Sequence, residues 1–414
     1  MMRRRDFLRA GTATLLGVAA RRAMAQPRRP RVVVVGGGFA GSYSALALKR
    51  RQPDFDVALV DPDERYVACP LSNEVLVGLR TLDSLTITRA GLARAGVRFM
   101  RTRATAIDAQ AGNLRLDNGA ALGYDRLIVA PGIRFLWERI IDYDETAAQR
   151  MPHAWKAGAQ TALLAAQLRA MRNGGIVAIC VPTGLMRCPP GPYERASLIA
   201  DFLKTHKPRS KVLIFDANNH FPRMDRFIEV WKRLYPGLIE WIPFTDGGTL
   251  VRVEVEKSML YTFGGAHRVD VANVIPPQAP DQIAADAGLA SGHGWCPVKP
   301  ESFESKTLAR VHVIGDACIA DAMPKSASAA VSQARQCVLA VEALLTDQEV
   351  PPPQFDSVCY SRLAPDRTLA INGRFRMEAG AIKSVEQAAD ADIAGSPDAA
   401  ERWYKSTVAD AFGV

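Results

Sequence analysis

Residues 31–61 read RVVVVGGGFAGSYSALALKRRQPDFDVALVD, an apolar strand, a glycine turn, an amphipathic helix and a second apolar strand. Gly36, Gly38 and Gly41 form G-x-G-x-x-G at the strand-to-helix turn. Bare backbone there can approach a pyrophosphate at the positive end of the helix. Asp61 ends the second strand, where a carboxylate can bind a ribose hydroxyl. The glycines alone would mark a loop as readily as a site. Strand, turn, helix and acid together predict a dinucleotide-binding unit.

The glycine motif does not separate FAD from NAD, so later segments decide. At 124–132, YDRLIVAPG is a buried strand closing in the turn Pro131-Gly132, and at 311–320, VHVIGDACIA is a strand ending in Gly315-Asp316. Both resemble the secondary motifs of two-dinucleotide-domain flavoproteins of the disulfide reductase type. That resemblance implies FAD, with Asp316 on its ribityl or neighbouring oxygens. It also implies that MPKSASAAVSQARQCVLAVEALL starts a helix whose N-terminus meets the flavin pyrimidine. The same group carries a second nucleotide unit, which should begin at 174–184, GGIVAICVPTG. There Val181-Pro182-Thr183-Gly184 replaces the glycine motif, and proline removes an N–H that a phosphate would need. A degenerate nicotinamide site is expected, with KVLIFDANN (211–219) as a further strand of the same unit.

The chain has 414 residues, 48% of them hydrophobic, which bounds it as a globular protein of two or three domains. Its start, MMRRRDFLRAGTATLLGVAARRAMAQ, joins basic residues, an apolar stretch too short to span a bilayer and the pattern Ala23-Met24-Ala25. With Arg4-Arg5 ahead of Phe7-Leu8 it predicts a twin-arginine signal over 1–25 and a periplasmic protein loaded with cofactor before export. The signal holds six arginines and one aspartate, so its removal takes the formal charge from +9 to about +4, too little to argue for nucleic acid. No apolar run after residue 30 approaches the length of a transmembrane helix. The seven cysteines form no CxxC or CxxCH, and the six histidines are scattered singly. Zinc and covalent haem are therefore not expected on this chain. An odd number of cysteines in an oxidising compartment leaves at least one unpaired or otherwise used.

CPPGPYERAS (188–197), RYVACPLSNEV (65–75), PHAWKAG (152–158), GWCPV (294–298), HVIGDACIADAMPKS (312–326) and CYSRLAP (359–365) together resemble the flavoprotein subunit of flavocytochrome c sulfide dehydrogenase, nearly end to end. The resemblance implies a flavoenzyme that oxidises sulfide to sulfur or polysulfide and passes electrons to a c-type haem subunit. Cys188 and Cys359 match that family's redox-active disulfide; from spacing alone, a structural disulfide or two buried thiols would do equally well. Hydrosulfide can attack such a bond to leave a persulfide and a thiolate. Arg187 is expected to favour the thiolate, and Pro189 and Pro190 to stiffen the loop. Glu194 matches the family's carboxylate near the disulfide, a candidate for proton exchange, although a solvated helix glutamate is the plainer reading without the resemblance. Cys69 matches the cysteine that carries the flavin through a thioether; here Pro70 follows it, where better-known members have tyrosine. Gly132 and Lys325 fall in the matched cofactor segments, and Trp403, in the final AERWYKSTVADAFGV, is a candidate flavin contact or simply a core anchor.

The expected architecture is α/β, with two Rossmann-like dinucleotide-binding domains of glutathione reductase-like type and a small C-terminal α+β cap. The FAD domain is split into 26–140 and 285–348, the second unit occupies 141–284, and a C-terminal domain of the sulfide dehydrogenase type covers 349–414, where INGRFRMEAGAIKSVE is expected to form a strand pair. A sulfide:quinone oxidoreductase shares the fold but needs a membrane-binding surface that the polar KSVEQAADADIAGSPDAAERW does not obviously supply. A non-catalytic flavin-binding accessory protein is the reading from a different class. The two matched cysteines argue against it.

Overall fold

The computed structural model describes residues 28–292, 294–386, 392–394 and 397–414. The expected export signal lies outside the described residues. The first unit begins with β1 (Arg31–Val35), α1 (Phe39–Arg51), β2 (Asp56–Val60), β3 (Arg98–Met100) and β4 (Arg126–Val129). The second contributes β5 (Ile176–Val181), α2 (Gly191–His206), β6 (Lys211–Asp216), β7 (Ile239–Ile242) and β8 (Val271–Val274). The chain then returns with β9 (Val311–Val313) and α3 (Ala327–Leu345) and ends in β10 (Phe355–Ala364), β11 (Arg367–Glu378), β12 (Ala381–Glu386) and α4 (Pro397–Phe412).

Two parallel sheets result, ordered β9-β4-β1-β2-β3 and β7-β6-β5-β8. Central parallel strands are covered on both faces, which is why β1 is a run of valines with Val32, Val33 and Val34 at most 1% exposed. Antiparallel meanders flank each sheet, over 104–123 beside the first and 250–268 beside the second. The two units are joined by a ribbon of Ile133–Phe135 against Gln278–Pro280.

Helix α1 departs from its reading as a one-sided amphipathic helix. Phe39, Ala40, Gly41, Ser42, Ser44, Ala45, Leu46 and Leu48 are all buried, because α1 lies against the sheet, α3 and α4 at once. Its small residues allow that packing. The C-terminal part is equally built in: β10, β11 and β12 form an antiparallel sheet, realising the expected strand pair, and α4 returns to the first unit. Phe412 stacks on Tyr66 with ring centroids 5.4 Å apart and meets Phe39 edge-on. Gly91 makes room for this, since a Cβ there would lie 2.1 Å from the Phe412 carbonyl oxygen.

Candidate functional site

A cavity of about 560 Å³ runs from the turn after β1 to the Cys188 loop. Its first end is lined by Gly36, Gly37, Gly38 and Asp61, its middle by Cys69, Gly132, Asp316, Ser326 and Ala327, and its far end by Trp155, Cys188, Glu194, Cys359 and Trp403. Loops after β1, β2 and β4, the loop and first turn of α2, and β10 of the C-terminal sheet therefore deliver side chains to one space.

The residues of the first end fit a dinucleotide. Gly38 caps α1 without any side-chain hydrogen bond, and no acidic residue stands in the first turn, so the helix dipole and its N–H groups are open to an anion. A Cβ at Gly36 would lie 2.2 Å from Ala130 O and one at Gly41 1.8 Å from Gly36 O, so both glycines close the turn against its own backbone. Gly41 thus acts by packing and does not line the cavity. At Gly37 an added Cβ would lie 2.4 Å from the Arg89 guanidinium, which would have to shift. Buried Arg89 donates to Gly37 O and, at 3.1 Å, to Ser42 Oγ, and pairs with Asp61 at 3.4 Å. Asp61 accepts the Gly37 N–H at 2.5 Å and the Asp63 N–H at 2.8 Å. Its carboxylate both holds the turn and faces the cavity. Further along the cavity Ser326 caps α3, accepting from Ala329 N at 3.2 Å, and so places that helix N-terminus on the cavity wall.

Among the described residues every cysteine is a free thiol. Cys69 is half-buried, with Sγ 3.9 Å from Trp155 O. Cys188 is held in the left-handed region at φ 53°, a conformation costing a non-glycine residue roughly 1–2 kcal/mol. Two backbone bonds fix it there: its N–H donates to Lys325 O at 2.8 Å and its carbonyl accepts from Gly191 N at 2.9 Å. Gly191, the first residue of α2, lets the thiol and an indole crowd the helix start, since a Cβ would meet Trp155 at 2.8 Å and Cys188 Sγ at 3.1 Å.

Arg187 acts on Cys188 in the expected direction, favouring the thiolate, but burial of the sulfur outweighs it. Burial pushes the Cys188 thiol well above its ordinary value, negative charge on Cys359 or Glu194 pushes it further, and Arg187 offsets only part. The Arg187 side chain is aimed elsewhere, donating to Trp155 O and lying 3.9 Å from Asp316 Oδ2. Cys359 is pushed up to about 12, by burial first and then by Glu194. Both sulfurs favour neutral forms. Glu194, 6% exposed in the first turn of α2, is raised to about 7, chiefly by burial, with the Arg362 N–H and charge and the Asn73 amide opposing and Glu74 adding. A carboxyl poised near neutrality thus stands beside two thiols.

Three comparisons bear on this geometry. The family model for the sulfide dehydrogenase [flavocytochrome c] flavoprotein chain, central part, matches residues 161–276, and the flavocytochrome c sulphide dehydrogenase flavin-binding model matches 351–412. The pyridine nucleotide-disulphide oxidoreductase model matches 30–152. The sulfide dehydrogenase [flavocytochrome c] flavoprotein chain of Chlorobaculum thiosulfatiphilum is 51% identical over 45 residues, 11% of this chain and 94% of that sequence. The chain belongs to the family of flavocytochrome c sulfide dehydrogenase flavoprotein chains. The mitochondrial sulfide:quinone oxidoreductase of Mus musculus is 23% identical over 319 residues, covering 73% of this chain and 68% of that one. In structure, the sulfide:quinone oxidoreductase of Aquifex aeolicus overlays with a TM-score of 0.74 at 17% identity, covering 93% of this chain and 92% of that one, which establishes the shared fold. The protein is a flavin-dependent oxidoreductase with the FAD-binding domains of its family.

In the second nucleotide unit a cavity of about 600 Å³ still opens at the Val181–Gly184 turn, but the acid at the end of its second strand is sealed by the protein's own side chains. Asp216, which ends β6 as Asp61 ends β2, is 0% exposed. Its Oδ2 accepts from Tyr193 Oη at 2.7 Å and Trp241 Nε1 at 2.9 Å, and its Oδ1 from Asn218. Tyr193 also stacks on Phe221 with centroids 3.6 Å apart. The carboxylate that would bind a ribose has no free face.

Lys325, expected among the cofactor residues, does not line the cavity. Its ammonium donates to Asp316 O at 2.9 Å and Cys318 O at 2.7 Å and sits 3.8 Å from the Trp295 ring centroid. It shapes the loop that carries Asp316, while its carbonyl holds Cys188. The Gly-Trp-Cys-Pro-Val segment, without a role in the sequence, supplies that indole, and Cys296 pairs in register with Cys318 in a short buried ladder. Sequence reasoning missed Arg89, Asn73, Arg195 and Trp155. Arg195, 2% exposed, donates to Asn73 at 3.0 Å, Asn273 at 2.7 Å and Ala154 O at 2.7 Å, which locks the 152–155 segment onto α2. The adjacency of Glu194-Arg195 at a helix start was the available signal.

Proposed function

We propose that this chain is the flavoprotein of a periplasmic sulfide dehydrogenase that oxidises sulfide to sulfur or polysulfide through a Cys188–Cys359 disulfide and passes the electrons to a c-type cytochrome. What carries the reading is the meeting of Cys188, Cys359 and Glu194 at one end of the dinucleotide cavity. Hydrosulfide attacks one sulfur, the S–S bond breaks, a persulfide forms on the attacked cysteine, and the other sulfur leaves with the electron pair as a thiolate. Burial disfavours that anion, and Glu194, with its carboxyl near 7, exchanges the proton. The net change is HS⁻ to sulfur, one proton and two electrons. FAD supplies the two-electron acceptor when bound, held by the α1 N-terminus, Asp61, Gly132, Asp316 and the α3 N-terminus, with Cys69 as the covalent anchor and Trp403 beside it.

Export through the predicted twin-arginine signal and the family's cytochrome partnership support the periplasmic, cytochrome-linked form. The shared fold with sulfide:quinone oxidoreductases favours a second reading, in which a quinone takes the electrons; among the described residues no helix is long and apolar enough to cross a membrane. Flavin reduced by sulfide and then mixed with cytochrome c or a short-chain quinone separates the two. The disulfide is tested by Cys188→Ser and Cys359→Ser. Each is expected to abolish sulfide-dependent flavin bleaching while keeping FAD content. Bleaching at near wild-type rates in both would overturn the mechanism. Acid precipitation is expected to leave the yellow colour in the pellet, and in the supernatant for Cys69→Ser.

A further inference from the structure

A chain of ion pairs runs from the C-terminal helix, where it is partly exposed, inward to the buried pair Arg362–Glu74, beside Glu194. Arg362 lies three residues after Cys359 on β10, where a β-bulge interrupts the ladder between Arg362 and Ala364. Bulges re-aim side chains, and here the guanidinium reaches across to Glu74, with Nε and Nη2 at 2.8 and 2.7 Å from the same carboxylate oxygen. Both partners are nearly sealed, at 7% and 2% exposure. Glu74 also accepts from Arg80 Nε at 3.0 Å, Arg80 pairs with Glu401 on α4, and Glu401 pairs with Lys405 at 3.4 Å. The same α4 brings Trp403 to the cavity wall, with its ring 5.8 Å from that of Tyr360, the neighbour of Cys359.

Removing two charges from water is expensive, and a pair like Arg362–Glu74 is weak evidence of stability for its own sake. Its position is more informative. Glu74 sits on the helical turn Ser72–Leu76, directly after Asn73, whose amide faces Glu194 and also donates to Gly191 O at 3.2 Å. The Arg362 N–H faces Glu194 from the opposite element. The charged and titratable groups around Glu194 are therefore Glu74 from the helical turn, Arg362 and Cys359 from β10, Arg195 from its own helix and Cys188 from the preceding loop.

We propose that Arg362 and Glu74 are positioning residues for the sulfur chemistry: their ion pair, anchored through Arg80 to α4, holds β10 so that Cys359 stays opposite Cys188 and the Arg362 N–H stays on Glu194. The inference rests on the proposed disulfide reading and deepens it. It makes closure of the C-terminal segment a condition of catalysis, because the residue that carries the latch and the residue that carries the sulfur share one strand.

The test reads Glu194 directly, through the infrared band of its protonated carboxyl, assigned by its loss in Glu194→Gln and titrated with pH in the flavin-loaded protein. Glu74→Gln removes a charge that favours protonation, so the midpoint falls; Arg362→Gln removes one that opposes it, so the midpoint rises. Opposite shifts are a signature that general loosening of the fold does not produce. Midpoints that stay put or move in the same direction overturn the proposal. If Arg362→Gln does not fold, Arg362→Lys decides: it keeps the charge but loses the two-point grip that holds the Arg362 N–H on Glu194, so the midpoint still rises while sulfide-dependent flavin reduction slows at least about tenfold, and an unchanged midpoint with a wild-type rate overturns the proposal. Absence of any sulfide-dependent bleaching in the wild type would defeat the functional reading, yet the infrared titrations would still decide the role of the pair.

Discussion

Both nucleotide-like units open with a buried parallel strand and close their second strand with an aspartate, and the two aspartates have opposite fates. Asp61 keeps a face on the cavity and spends the rest of its capacity on the backbone of its own glycine turn. Asp216 is buried under Tyr193 and Trp241. The turns differ in the same way. Gly38 leaves the N-terminus of α1 bare, whereas α2 is preceded by a proline-rich loop that presents Cys188 in place of backbone N–H groups. One unit has kept a ligand site on its fold. The other has kept the fold and sends a thiol and a carboxyl from its second helix start into the first unit's cavity. Fold alone does not imply a cofactor; the side chains at the strand ends decide.

The largest effect should come from the first turn. Gly41→Val places side-chain atoms where even a Cβ lies 1.8 Å from Gly36 O, so the purified protein is expected to carry essentially no FAD, read as flavin absorbance per chain. The counterpart in the second unit, Gly184→Ala, has open space around it and pays only for its φ of 87°, about 1–2 kcal/mol of stability with flavin content unchanged. Equal flavin loss in both would erase the contrast between the units.

Glu194→Gln should lower the rate of sulfide-dependent flavin reduction by about 10²–10⁴ and remove its pH dependence near 7. Stability carries a second signature. The carboxyl rises from 4.5 unfolded to about 7 folded, so its contribution is fully present below pH 4.5 and is lost as pH rises through 7, a change of about 3 kcal/mol. Denaturant titrations at several pH values should show that loss in the wild type and a flatter profile in the variant. Smaller still, Asp216→Asn should cost about 1.5–3 kcal/mol by weakening its bonds from Tyr193 and Trp241, without admitting NADH. A variant that gains NADH-dependent flavin reduction would mean that the second site is merely plugged.

The local parts of this structure were legible in the sequence. The valine run of β1, the glycine turn, the strands ending at Gly132 and Asp316, and the cap of α3 each depend on residues close together in the chain. Arg89 was not legible, because it meets Gly37 across 52 positions, and the Arg362–Glu74 pair spans 288. The sealing of Asp216 depends on Tyr193 and Trp241, which no periodicity links to it. Where the Lys325 side chain goes was not legible for a related reason: its ammonium is occupied by two carbonyls and an indole face brought in by tertiary packing. Arg187, next to Cys188 in sequence, does favour the thiolate as its position suggests, but how deeply the sulfur is buried was not legible, and burial prevails.

The central claim is that electrons enter the flavin from sulfide at the Cys188–Cys359 end of the cavity and not from a nicotinamide in the second unit. Stopped-flow mixing of the oxidised, flavin-loaded protein with sulfide or with NADH, under strict anaerobiosis and at equal concentrations, compares the two routes in one preparation. Rapid bleaching with sulfide and little or none with NADH is the predicted result. Rapid bleaching by NADH, with sulfide inert, would contradict it.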